Sequence, residues 1–339
     1  QIGIEGMIAI IDPLALASLK PLARPFTNPD ILKIFHACSQ DMEILLRETG
    51  VLPAPVFDTQ IAATLLGKNQ QPSYALLVSQ YCDVELAKKD SFTDWSHRPL
   101  SPSQIRYAAE DVLYLPEIHE KMVEALKSKD RLAWLTESFE ELSEPDRYIT
   151  DPYTRFLKLK RVNQLKNRQL AAAREVAAWR ELEAQSRNIP RKWILSDEQI
   201  VEACRREATT LDELYMVRGM RESLSTNKAR KVLECIKKGL NCPEDELPHI
   251  QKKAKSEQNV DAIVDVLSGI ARKVARENDI APQTLAPHSE LVALARGHWD
   301  ECELMKGWRR HMLGEGLVAF MEGKCTLRIA EGNLEITRS

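Results

Sequence analysis

The chain has 339 residues, 44% hydrophobic, 29% charged and 6% aromatic, with a formal net charge of -3, enough for two or three ordinary domains. No apolar run approaches the roughly 18 residues that a membrane span needs, and no signal peptide is visible, so no membrane partner is expected. Cys38, Cys82, Cys204, Cys235, Cys242, Cys302 and Cys325 form no CxxC pair and no zinc spacing, which argues against a disulfide scaffold and points to a reduced, cytoplasmic setting.

Charge is unevenly spread. Residues 1–150 carry 14 Lys+Arg and 22 Asp+Glu, a net of -8; residues 151–240 carry 20 and 12, a net of +8; the remaining 99 carry 13 and 16, a net of -3. An acidic first part, a basic middle and a nearly neutral end suggest modules with separate tasks.

In chain order, residues 7–11 read as a strand stopped by Asp12-Pro13, with "QIGI" before it as the tail of an earlier strand. Residues 14–20 lean toward helix, and Pro21 and Pro25 break the stretch after it. "ILKIFHA" is a second strand. "SQDMEILLRETG" comes next as a helix, Ser39 its N-cap and Gly50 its C-cap. A short strand ends at Asp58 with a helix after it, and "SYALLVSQYC" is another helix. Residues 90–103 read as loop, and Pro102 opens a helix reaching about residue 127. Strands alternating with helices predict an α/β sheet domain. After about residue 150 the strands disappear: residues 153–186 look like one long helix, capped helices start at Ser196 and near Thr210, and Gly239 ends a last one. "NCPEDELP" reads as a linker. A long helix over 257–278, a helix in "APHSELVALARG" and a final helix over 311–322 repeat that order, so residues 257–322 look like a diverged copy of 156–240.

The stretch "RYAAEDVLYL" puts Tyr107 and Asp111 four residues apart, on one face of a helix. Asp41 lies early in a helix directly after a strand, where α/β folds gather their sites. "DSFTDWSHRPLS" brings Trp95 and Arg98 into the loop ahead of Tyr107, residue types that suit base stacking and phosphate contact. Asp58 reads as either structural or at the substrate edge. His36 reads as a satisfied core histidine or a substrate contact.

Taken together, "HACSQDMEILL", "VFDTQIAATLLG", "DWSHRPLSPSQIRYAAEDVLYLPEIH" and the two helical bundles resemble bacterial ribonuclease D over nearly the whole chain. The resemblance implies an α/β RNase H-like exonuclease domain (residues 1–145), of the DEDD subgroup whose last motif is Y-x-x-x-D. Two all-α HRDC bundles, over 153–242 and 255–326, would come after it. The resemblance also implies trimming of single-stranded RNA 3' ends, tRNA precursors among them, by two Mg2+ or Mn2+ ions. Carried over by motif, Asp41 and Asp111 are metal ligands and Tyr107 orients or helps deprotonate the attacking water. The family's first motif, D-x-E on a leading strand, is not found; "DME" at 41–43 and "DVE" at 83–85 lie elsewhere. The expectation is therefore that the motif precedes Gln1, and that the 339 residues hold half of the metal site and show little or no activity. Two other readings compete with the enzyme: a non-catalytic RNA-binding scaffold and a helicase-associated DNA-binding protein.

Overall fold

The computed structural model describes residues 1–68, 71–86, 93–149, 151–250 and 259–338. The first residues of the expected loop (90–92) and the start of the second expected bundle (255–258) lie outside the described residues. The described residues fall into two compact units, one drawn from 1–148 and 256–339, the other from 149–255.

The first unit opens with a hairpin, β1 (Ile2–Ile4) against β2 (Met7–Ala9), turning through Gly6 at φ 73°. The helix expected over 14–20 does not form. α1 (Ala23–Thr27) comes later, with Pro25 in its first turn, where a missing N–H breaks no intrahelical bond. β3 (Lys33–Phe35) leads into α2 (Ser39–Thr49), which Gly50 terminates at φ 81°. β4 (Val56–Asp58) pairs with β3 in parallel, Phe35 opposite Asp58, and runs straight into α3 (Thr59–Thr64). Among the described residues the β1–β2 and β3–β4 pairs are separate two-stranded sheets. α4 (Tyr74–Cys82) is next. The single helix expected from Pro102 to residue 127 is two, α5 (Pro102–Leu113) and α6 (Leu115–Ser128). They break at Tyr114, because Pro116 has no N–H for the carbonyl four residues back. α7 (Thr136–Leu142) closes this stretch.

The second unit is all helical. The long helix expected over 153–186 splits. Phe156, Leu159, Val162 and Leu165 recur every third residue and all are buried, a period that winds 3-10 turns over 152–164. α8 (Arg168–Arg187) then begins. α9 (Asp197–Arg205) and α10 (Leu211–Tyr215) start at capping boxes, Ser196 with Gln199 and Thr210 with Glu213. α11 (Met220–Ser223) and α12 (Thr226–Leu240) complete the bundle. Gly239 does not end α12 as expected. It lies inside the helix, where a Cβ would fall 2.3 Å from the Ala172 backbone, so glycine there lets α12 and α8 touch.

The remaining residues return to the first unit: α13 (Asp261–Glu277), α14 (Pro282–Leu285), α15 (His288–Ala295), α16 (Gly307–Arg309), a π turn over 310–314 and α17 (Glu315–Met321). They do not form a bundle apart from residues 1–145. Val264, Leu267, Ile270, Leu291 and Leu317 share one core with Phe57, Ala62, Leu77, Ile118 and Met122. The strands also do not stop at residue 150. β5 (Cys325–Ala330) and β6 (Asn333–Arg338) pair through Glu331-Gly332, both at positive φ.

Candidate active site

The carboxyl ends of β3 and β4 launch α2 and α3 side by side, and Asp58 ties the two starts together. Its side chain is 1% exposed and accepts from the N–H groups of Ala37 (3.1 Å), Cys38 (2.8 Å), Gln60 (2.8 Å) and Ile61 (3.4 Å). It caps α3 directly and stands in for the missing side-chain cap of α2, whose N-cap is Cys38 rather than Ser39. This is a structural position; a carboxylate so buried and engaged offers nothing to a substrate edge. His36 is held similarly. Its Nδ1 lies 3.0 Å from Thr59 Oγ1, which donates to the Phe35 carbonyl, and its ring lies 5.6 Å from Tyr74. Burial pushes the imidazole below its ordinary pKa. His36 is thus partly buried, with Nδ1 engaged by Thr59.

Fixed this way, α2 presents Asp41 in its first turn. The second carboxylate comes from α5. Ser101 and Gln104 close a capping box at its start, and Tyr107 and Asp111 come after it at i and i+4. Tyr74 Oη donates to the Glu110 carbonyl (3.0 Å) and accepts from the Tyr114 N–H (3.3 Å), gripping the backbone on either side of Asp111. Partial desolvation raises the pKa of both Asp41 and Asp111. Among the described residues no group of three or more His, Cys, Asp or Glu is arranged to hold a metal.

The loop ahead of α5 sets Trp95 5.9 Å from the Tyr107 ring at 51°. Arg98, expected to meet phosphate, is engaged instead. Nε and Nη2 donate to Asp12 (2.6 and 2.7 Å), and Nη1 donates to the carbonyls of Trp95 (2.7 Å) and His97 (2.8 Å). The guanidinium holds the Asp12 carboxyl below its ordinary range. Gln104 Nε2 donates to Thr93 Oγ1 and the Asp94 carbonyl, both at 3.1 Å. Sequence reasoning missed Asp12 and Gln104. In the sequence Asp12 stands out only as the residue that stops a strand, and its partner lies 86 positions away.

Fold and site together define a 3'-5' exonuclease of the RNase H-like class carrying an HRDC domain. Residues 1–127 match the 3'-5' exonuclease family and residues 169–236 match the HRDC domain. The ribonuclease D of Zymomonas mobilis is 35% identical over 99% of this chain and 87% of its own length. That of Granulibacter bethesdensis is 34% identical over 97% and 84%. The crystal structure of Escherichia coli RNase D, described as an exoribonuclease involved in structured RNA processing, superposes with a TM-score of 0.75. It is 29% identical and covers 92% of this chain and 84% of that one. The chain belongs to the ribonuclease D family, and it is a 3'-5' exoribonuclease. The scaffold reading is not favoured.

The exonuclease family depends on divalent metal. Asp41 and Asp111 fit such an ion: hard carboxylate oxygens, partly desolvated. They supply two ligands. No helix among the described residues is long and apolar enough to cross a membrane.

Proposed function

We propose that this site removes nucleotides one at a time from single-stranded RNA 3' ends, those of tRNA precursors included, in the cytoplasm. The observation that carries the reading is a pair of partly desolvated acids, Asp41 in the first turn of α2 and Asp111 on α5, with Tyr107 one helical turn from Asp111. Asp41 and Asp111 hold Mg2+ or Mn2+, two ions in the complete site. Bound there, such ions make hydroxide available near neutral pH and relieve charge on the leaving 3'-oxygen. Tyr107 Oη orients the attacking water and takes part in removing its proton. The water oxygen bonds to phosphorus as the P–O3' bond breaks, leaving a 3'-hydroxyl on the shortened RNA and a 5'-monophosphate on the nucleotide. Trp95, half-buried beside Tyr107, stacks on the terminal base.

The basic 149–255 unit serves as an RNA-backbone contact, supported by its excess of Lys and Arg. Residues 255–326 descend from a second HRDC-like copy, supported by the same order of one long helix and several short ones. The test is release of nucleoside 5'-monophosphates from RNA with a 3' extension, in Mg2+ or Mn2+, from wild type and Asp111→Ala. Trimming that survives EDTA or the substitution would defeat the reading.

A further inference from the structure

We propose that Asp12 and Arg98 are a positioning pair that sets Trp95 against Tyr107, so building the wall on which the 3'-terminal base of the RNA rests. The inference deepens the exonuclease reading and rests on it.

The residue types alone suggest a different role, since an arginine beside a tryptophan in a loop suits phosphate. The geometry removes that role. A guanidinium has five N–H donors, and Arg98 commits four of them. Two go to the Asp12 carboxylate in a bidentate fork, and two go to the carbonyls of Trp95 and His97 within its own loop. The ammonium of a lysine could not reproduce this fork. Asp12 is itself anchored, because its Oδ1 also accepts from the Leu14 N–H at 3.0 Å. It comes directly after the β1–β2 hairpin, which packs on α5. The other end of the loop is tied to α5 by Gln104, a residue only 6% exposed, through Thr93 and Asp94. Asp94 in turn accepts from the Ser96 N–H at 2.8 Å and the Ser96 hydroxyl at 2.6 Å. Residues 93–98 are therefore tied at one end to α5, the helix that carries Tyr107 and Asp111, and at the other to Asp12. Trp95 lies between the two ties, and its ring meets the Tyr107 ring. A stacking platform binds a base well only if it is fixed before the base arrives, because ordering a free loop on binding subtracts from affinity. The salt bridge is one-third exposed at both partners. Its contribution to global stability is accordingly small, and its effect is local.

Two variants separate the roles with opposite signs. If Arg98 served phosphate, Asp12→Asn would free it and tighten RNA binding. If the pair positions Trp95, Asp12→Asn weakens binding and Arg98→Lys weakens it as much, despite keeping the charge. The probe is a short single-stranded RNA with 2-aminopurine as its 3'-terminal base, in EDTA, so that binding is read without turnover. Trp95 itself is monitored by acrylamide quenching, taken as the difference between each protein and its Trp95→Phe partner, with a melting curve for each. The expected result is roughly five- to tenfold weaker binding in Asp12→Asn and Arg98→Lys, the scale of one lost bidentate contact. Quenching of the terminal base falls, Trp95 becomes more accessible, melting stays nearly constant, and Asp12→Glu recovers part of the binding. Unchanged or tighter binding in Asp12→Asn overturns the proposal. A wild type that binds no RNA would instead defeat the exonuclease reading. The positioning pair would then stand or fall on the accessibility of Trp95 alone, and an unchanged Trp95 would overturn it.

Discussion

Asp58 ends β4 with its carboxylate turned onto the N–H groups that begin α2 and α3. Those four groups stand at helix starts, where no preceding turn offers a carbonyl, and buried N–H groups left unpaired are expensive. Asp58→Ala should therefore destabilise the protein by about 3 kcal/mol, the loss of two caps at once. Chemical denaturation would check this, and a cost below about 1 kcal/mol would contradict the double-cap account. Asp111 answers to a different balance. Its folded-state pKa lies above the ordinary carboxylate value. Such a group favours the folded state while protonated and opposes it once ionised. Raising the pH from the ordinary carboxylate range through the higher folded pKa thus destabilises the metal-free protein. A divalent cation binds only the ionised form and reverses the trend. Added Mg2+ or Mn2+ should raise the melting temperature more at pH 8 than at pH 5. Asp111→Asn should lose that metal response and leave metal-free stability at pH 8 equal or higher. Its trimming rate should fall more than about 100-fold, since removing even an outer-shell partner of a metal reaches that scale. A metal response that persists in Asp111→Asn would show that the ion sits elsewhere.

At the scale of elements, Gly239 decides whether α8 and α12 can lie in contact. An added Cβ would stand 2.3 Å from both Ala172 N and Cα and 2.5 Å from the Ala171 carbonyl carbon, all backbone atoms that no rotamer can move aside. Gly239→Ala should cost about 2–4 kcal/mol, although alanine is the better helix former. Melting of the 149–255 unit would register it, and a stabilised variant would mean that the helices part freely. The same position shows what the sequence withholds. A glycine near a helix end reads as a C-cap, and only the facing alanines reveal the close approach. The apolar period of three from Phe156 to Leu165 is visible but resembles a helical stripe over so short a run. The β5–β6 hairpin has a signal as well: apolar alternation on both sides of Glu331-Gly332. By contrast, β3, α2, α4, and the caps at Ser196 and Thr210 arise from local chemistry and are legible. So is the i, i+4 placement of Tyr107 and Asp111 on one helix, because that spacing is local. What Arg98 does is not, because its partner Asp12 is distant in sequence and pairing satisfies donors that the residue type alone leaves free.

At the scale of the molecule, the sequence divides at its linkers and the core does not respect them. A stretch of the chain's end, α13 to α17, completes the hydrophobic core begun by α3, α4 and α6. The seam is polar as well as apolar. Arg131, only 7% exposed, donates to the Leu65 carbonyl (2.8 Å) and the Asp279 carbonyl (3.3 Å), and the Ala281 N–H donates to the Thr64 carbonyl at 2.8 Å. Trp134 and Trp308 stack at 4.6 Å with 5° between their planes, and the guanidinium of Arg309 lies over Trp308. Such a seam behaves as the interior of one domain, not as contact between two. Ending the chain before residue 256 should leave Ile118, Met122, Leu126, Ala62 and Ala63 facing water, and the lost burial exceeds the margin by which domains are stable. The shortened protein should keep one cooperative transition, that of the 149–255 unit, while the exonuclease part is cleaved by a small amount of trypsin. A fragment of residues 149–255 has its own closed core from Phe156 to Ile236 and should melt alone at nearly the temperature it shows within the chain. If the shortened protein instead retained a protease-resistant exonuclease part with its own transition, residues 259–338 would be an accessory layer on a domain already complete without them.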